Sequence, residues 1–183
     1  MINGNEMLDL IRTRQSDRSY SDRAVEKEKI DRITEAGRLA PSACNSQPWK
    51  LIVVDDRALL DKLARAASAK LTGMNSFVSQ APVQVVVVRE KANMSSRIGA
   101  TVKNKDYSRI DIGIVSENIC LQARAEGLGS CMIGWFDERM VKKILKIPAS
   151  KRVELLITIG YPARETREKK RRPSDDVISR NSY

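Results

Sequence analysis

The sequence predicts a single domain of helices and β-strands, of either the α/β or the α+β class. Apolar runs of strand length recur along the chain, and stretches with apolar residues at helical spacing separate them. The 183 residues are enough for one domain with its own core. Because no repeat, linker or second domain divides the chain, we expect one domain over 1–183 that ends in a polar C-terminal extension over 163–183.

Five stretches predict helices, in the order 6–14, 25–39, 57–70, 107–126 and 138–145. The third is amphipathic, since Leu59, Leu60 and Leu63 fall on one face. The fourth is apolar on several sides, which predicts that a second subunit covers part of it. Gly127 is a suitable stop for that helix, and Asp137 is a suitable N-cap for the next one.

Four apolar runs predict strands at 49–54, 83–88, 132–135 and 153–159. The second run is apolar on both faces, as expected for a central strand that helices cover on each side. Residues 89–105 are polar and lack a period, so they predict a mobile loop or a short helix.

Histidine is absent, which excludes Ser-His-Asp triads and zinc sites built from histidine. The three cysteines, Cys44, Cys120 and Cys131, lack metal-ligand spacing, and their odd number argues against a disulfide framework. We expect Cys120 and Cys131 to be core thiols. An enzyme built from this chain must use other side chains or leave the chemistry to a cofactor.

The formal net charge of +10 indicates acidic partners. Nucleic acid, a flavin phosphate and a nicotinamide cofactor all qualify, and charge alone does not separate them. No apolar run approaches the roughly 18 residues that a membrane helix needs. The N-terminus also lacks the pattern of a signal peptide, so we expect a cytoplasmic protein without a membrane partner.

Two polar segments carry the candidate chemistry. Residues 40–49 read APSACNSQPW, in which two prolines stiffen a loop with more polar side chains than a turn requires. Residues 14–18 read RQSDR, and in an extended segment Arg14, Ser16 and Arg18 share one face. Guanidinium groups suit phosphate and carbonyl oxygens, so this face could bind an anionic ligand.

With GLGSCMIG at 127–134, ITIGYP at 157–162 and KKRRP at 169–173, these segments resemble the nitroreductase family in order and spacing. The resemblance implies an α+β sandwich with a mixed central sheet flanked by helices. It also implies an interlocked homodimer in which the C-terminal arm lies on the partner subunit.

The resemblance further implies an FMN-dependent oxidoreductase. A hydride would pass from NADH or NADPH through flavin N5 to an electrophilic small molecule, such as a nitroaromatic or a quinone, by a ping-pong mechanism. No side chain is then assigned a catalytic role, because the cofactor carries the chemistry.

The FMN contacts that the resemblance implies fall in several groups along the chain. Arg18 would lie near the pyrimidine edge of the flavin, Gly134 and the two residues before it beside N5, and Lys169 and Arg171 at the phosphate, with the register of the tail open by one residue. The loop from Pro41 would reach a flavin bound mainly by the other subunit. In chain order the implied contacts are Arg14, Gln15, Ser16, Arg18, Pro41, Ser42, Asn45, Gln47, Asn75, Met132, Ile133, Gly134, Lys169 and Arg171.

Three alternatives stay open at the level of sequence. The same fold could serve another flavin activity, namely a flavin reductase, a dehalogenase or a biosynthetic oxidase. The chain could bind flavin without turnover. The basic tail could instead bind nucleic acid, although the chain shows no interleaving of aromatic and basic residues for base stacking. We therefore expect no nucleic-acid partner.

Overall fold

A four-stranded sheet lies at the centre of the protein. The computed structural model describes residues 3–68 and 73–183. Its strands are β1 (Trp49–Val54), β2 (Val83–Arg89), β3 (Gly129–Ile133) and β4 (Arg152–Gly160). They lie in the order β1-β2-β4-β3, and each neighbouring pair is antiparallel. The long β2 and β4 are therefore central, and β1 and β3 are the two edge strands.

Helices cover both faces of this sheet. The described residues contain α1 (Gly4–Thr13), α2 (Lys27–Arg38), α3 (Arg57–Ala67), α4 (Met94–Lys103), α5 (Tyr107–Ala125) and α6 (Glu138–Leu145). Side chains of β2 alternate between two cores: Val86 and Val88 pack with α3 and α6, whereas Val85 and Val87 pack with α2 and α5. Burial of each aliphatic side chain stabilises the fold by about 1.5–3 kcal/mol. These two layers confirm the predicted α+β sandwich.

The directions of the strands differ from the mixed sheet that we expected. All three strand pairs are antiparallel, and among the described residues the parallel pairing is the isolated bridge between Ser16 and Ser130. The mixed sheet was implied by the resemblance, and the strand residues could not correct it, because an apolar pattern determines which face of a strand is buried but not the direction in which it runs.

The element bounds agree closely for β1 and α6, which match the predicted ranges 49–54 and 138–145. The side chain of Asp137 caps α6, accepting a hydrogen bond from the backbone N–H of Met140 at 2.9 Å. The predicted helix 57–70 ends earlier, at Ala67, and the rest of that range lies largely outside the described residues. The polar range 89–105 contains the helix α4.

The predicted strand 132–135 is misplaced. The strand begins at Gly129 and ends at Ile133, and Trp135 lies beyond it with an exposed side chain. Gly129 and Ser130 look like turn residues in the sequence. They belong to the strand because β4 pairs with them, Ser130 opposite Ile159.

The C-terminal extension is largely exposed and contains one short turn of 3₁₀-helix at Ser174–Asp176. Its first part lies against its own chain: the N–H of Ala163 donates to the carbonyl of Ser19 at 3.0 Å. The placement of the arm on a partner subunit stays a prediction.

Candidate active site

The RQSDR segment follows α1 and runs beside β3. The bridge from Ser16 to Ser130 holds it there, and the N–H of Asp17 donates to the Ser130 carbonyl at 2.9 Å. A Cβ atom at position 129 would lie 2.6 Å from Oδ2 of Asp17. Because glycine has no Cβ atom, the RQSDR segment can lie this close to β3 at position 129.

A cleft of about 600 Å³ lies between this segment and the C-terminal extension. Its volume falls in the range of about 300–1,000 Å³ that ligand pockets occupy. The residues that line it are Arg14, Gln15, Ser16, Arg18, Arg167, Glu168, Lys169, Lys170 and Arg171. The structure thus brings together two predicted groups that are about 150 positions apart in the chain.

The charges at this cleft favour an anionic ligand. Six of the lining side chains are cationic and one is a carboxylate. Partial burial, together with the positive charges of Arg14 and Arg171, lowers the pKa of Lys169. Cations that depress the pKa of a neighbour repel one another, and a bound anion would relieve that repulsion.

Four of the six cations already have hydrogen-bond partners in the protein, and those of Arg14 and Lys169 lie on the helices α5 and α1. Nε of Arg14 donates to Oε1 of Glu117, on α5, at 3.1 Å. Nζ of Lys169 donates to the carbonyl of Ile11, near the C-terminal end of α1, where the helix dipole favours a cation. These bonds fix the direction of each side chain at the edge of the cleft.

The side-chain amide of Gln15 bonds other parts of the protein, and its contact with FMN stays a prediction. Its Nε2 donates to Oδ1 of Asp17 at 2.8 Å and to the Glu165 carbonyl at 3.3 Å. Its Oε1 accepts from the N–H of Arg167 at 3.1 Å and from Nε of the same residue at 3.4 Å. An amide has two donors and two acceptor positions, so its hydrogen-bonding capacity is filled.

The loop that begins at Pro41 lies apart from this cleft. Its polar side chains bond mainly within the loop, where Oγ of Ser42 accepts from the N–H of Gln47 at 2.8 Å and Nε2 of Gln47 donates to Oδ1 of Asn45 at 3.0 Å. Cys44, Asn45 and Gln47 have φ angles of 52°, 49° and 46°. Such left-handed backbone costs about 1–3 kcal/mol per residue, so the surrounding structure holds this loop in a set shape.

Asp111 of α5 is part of that support. Its side chain is buried, and Oδ1 accepts from the N–H of Ala43 at 3.1 Å, while Oδ2 has no hydrogen-bond partner among the described residues. Burial raises the pKa of Asp111. No local pattern around either residue predicts this contact, because 68 positions separate them.

Asn75 connects two segments instead of presenting its amide group to solvent. It has a φ angle of 60°, and its Nδ2 donates to the carbonyls of Ala67 at 3.1 Å and Trp135 at 3.2 Å. It therefore ties the chain that follows α3 to the chain that follows β3.

The predicted N5 segment lies at the end of β3. Ile133 is buried in the core beside α3 and α6, and Met132 packs on the opposite face of the sheet. Their side chains hold the strand, so only backbone atoms of this segment could face a ligand. Gly134 is exposed directly after the strand.

Sequence reasoning missed three residues of the cleft or its support. Arg167 and Glu168 line the cleft, and Glu117 fixes Arg14. The basic tail was a signal for Arg167, and Lys170, which also lines the cleft, lies within the one-residue register that the sequence left open. Glu117 had no such signal, because its partner is 103 positions away.

Comparison with known proteins identifies the class. A sequence profile of the Nitroreductase family matches residues 11–161. A protein of Archaeoglobus fulgidus, provisionally named NADH dehydrogenase/NAD(P)H nitroreductase, is 35% identical over 87% of each chain. The FMN reductase [NAD(P)H] of Bacillus subtilis is 26% identical over 98% of this chain and 75% of its own.

The fold agrees with these relatives. The solved structure of an FMN-dependent nitroreductase from Clostridium difficile superposes with a TM-score of 0.79 at 30% identity, covering 96% of this chain and 99% of the other. The chain belongs to the nitroreductase family. It is an enzyme, a flavin-dependent oxidoreductase of the NAD(P)H-using kind. Among the described residues no helix is both long and apolar enough to cross a membrane.

Proposed function

We propose that the cleft between residues 14–18 and 167–171 binds FMN, with the phosphate at the cations of the C-terminal extension. The observation that carries this proposal is the gathering of six cations and one carboxylate around a single cleft. A phosphate dianion accepts hydrogen bonds from planar guanidinium groups in pairs. The donor set therefore fits the phosphate end of the cofactor.

The other proposed FMN contacts differ in the chemical group that each side chain offers. Ser16 offers a hydroxyl, and Arg18 offers an exposed cation that could stabilise negative charge at a pyrimidine edge. Arg14 and Lys169 are held at the edge of the cleft by Glu117 and by the Ile11 carbonyl. The protein's part is thus to bind and orient the cofactor with side chains that are fixed beforehand.

When bound, the flavin would supply hydride transfer from NADH or NADPH to an electrophilic small molecule such as a nitroaromatic or a quinone. The names of the relatives support this reaction class, since they include an NAD(P)H-dependent FMN reductase. A flavin reductase activity is therefore the second candidate within the class.

We further propose that the active unit is a homodimer. Ile110 of α5 is exposed in the single chain, as are Met94, Ile98 and Val102, which follow one another at helical spacing on α4. Exposed apolar side chains at helical spacing are typical of an interface. The strained loop from Pro41 would then complete the site of the partner.

Absorbance spectroscopy tests the proposal directly. Protein purified with FMN should show the flavin bands, and anaerobic NADH or NADPH should bleach them. A colourless protein that also fails to bind added FMN would refute the cofactor assignment. Bands that neither nucleotide bleaches would instead favour flavin binding without turnover.

A further inference from the structure

Gln15 joins the RQSDR segment to the C-terminal extension, and its neighbours on both sides are well defined. On one side its Nε2 donates to Oδ1 of Asp17 at 2.8 Å. On the other side it contacts the backbone of the extension at two residues, through the carbonyl of Glu165 at 3.3 Å and the N–H of Arg167 at 3.1 Å. Nη2 of Arg167 in turn donates to the carbonyl of Ser16 at 3.4 Å.

The orientation of the Gln15 amide follows from its partners. Asp17 and the Glu165 carbonyl can only accept in this arrangement, and the Arg167 N–H can only donate. If the amide were flipped, its NH₂ group would face the Arg167 N–H, and its oxygen would face the oxygens of Asp17 and Glu165. Asp17 is itself buried and bonded to β3, through the Ser130 carbonyl. The sheet therefore fixes Asp17, Asp17 fixes Gln15, and Gln15 fixes the path of the extension.

This path determines where the tail cations lie. Lys169 and Arg171 follow Arg167 by two and four residues, and the extension has no regular element between Ala163 and Pro173. An exposed segment of this kind has many alternative conformations, and ordering it costs conformational entropy. Bonds that order the segment in advance remove that cost from ligand binding.

We infer that Gln15 is a positioning residue. Its hydrogen bonds hold the C-terminal extension against the RQSDR segment, so that the tail cations are already placed at the cleft before a ligand binds. The side chain of Gln15 bonds Asp17 and the extension, so it acts on the ligand through the tail cations. For the identity of the ligand this inference rests on the proposed function, whereas the contact with the extension stands independently of it.

The test compares Gln15→Met with Gln122→Met in the full-length protein. Methionine keeps the unbranched shape and removes the hydrogen bonds. Gln122 is a matched control, because its Nε2 also donates to a carboxylate, Oε1 of Glu126 at 2.9 Å, outside the cleft. Thermal unfolding of both variants checks that each is folded.

The first readout needs no flavin. Trypsin should cut apo-Gln15→Met within 165–171 about tenfold faster than it cuts the unchanged apo-protein. Without the Gln15 hydrogen bonds, this segment opens more often. Gln122→Met should be cut at the unchanged rate. Equal cleavage rates for Gln15→Met and the unchanged protein would overturn the inference, whether or not FMN binds.

The second readout is affinity. Gln15→Met should weaken FMN about tenfold, the size of one lost charge-assisted contact, and riboflavin by less than about twofold. In a Lys169→Ala/Arg171→Ala background, Gln15→Met should lower FMN affinity less than about twofold. The tail cations through which Gln15 acts are then already absent, and effects that share a mechanism do not add. Faster cleavage with unchanged FMN affinity would overturn the link to the ligand. An unchanged protein that binds no FMN would refute the proposed function alone.

Discussion

Replacing Arg14 by alanine should weaken FMN binding while the fold stays intact. The Arg14 side chain is 21% exposed and lines the cleft, and the 39% exposed Glu117 holds its Nε at 3.1 Å. A hydrogen bond to a charged group contributes about 1.5–3 kcal/mol, which corresponds to roughly ten- to hundred-fold in affinity. Flavin fluorescence titration of the apo-protein measures this change.

A second part of the FMN affinity lost in Arg14→Ala can be measured separately, because it comes from Glu117. Without Arg14, the carboxylate of Glu117 loses its partner near the cleft. Repulsion between two unit charges about 4 Å apart costs about 1 kcal/mol in water-like surroundings, which is about fivefold in affinity, and less at larger separations. We therefore expect Arg14→Ala/Glu117→Gln to recover up to about fivefold of the affinity lost in Arg14→Ala.

Arg12→Ala is the matched control for this prediction. Arg12 also pairs with a carboxylate, Oδ1 of Asp9 at 3.0 Å, but both side chains are 66% exposed and neither lines the cleft. Exposed pairs of this kind contribute little, so FMN affinity should stay within about twofold. Equal affinity of Arg14→Ala and Arg12→Ala for FMN would refute the assignment of the cleft.

Three further outcomes are expected. Lys169→Ala/Arg171→Ala should weaken FMN at least about tenfold but barely change riboflavin, which lacks the phosphate; equal losses for both ligands in parallel titrations would contradict the phosphate assignment. Ile110→Glu should shift the protein to monomers with weaker FMN, because an interface would bury an unpaired carboxylate; sedimentation monitored at the flavin bands decides this, and a monomer with tight FMN would exclude the dimer requirement. Gly129→Ala should lower the free energy of unfolding by about 1–3 kcal/mol, because its Cβ would lie 2.6 Å from Oδ2 of Asp17; an unchanged denaturation midpoint would contradict that reasoning.

Local signals in the sequence were sufficient for much of the fold. The apolar run 49–54 and the cap at Asp137 gave β1 and α6 with their bounds, because both features act over a few residues. The same logic failed at β3, where Gly129 and Ser130 look like a turn. Their strand conformation comes from pairing with β4, which lies more than 20 positions further along the chain.

Unusual polar residues in a set order, in the RQSDR segment, the loop from Pro41 and the basic tail, were enough to predict the family and the segments that hold candidate site residues. The amino-acid pattern does not show which of these segments meet in space. In the structure Arg14 and Ser16 lie with the tail cations at one cleft, and the side-chain amide of Gln15 bonds the extension. Apolar periodicity and turn residues report on near neighbours, whereas a hydrogen bond across about 150 positions depends on where the sheet places both ends.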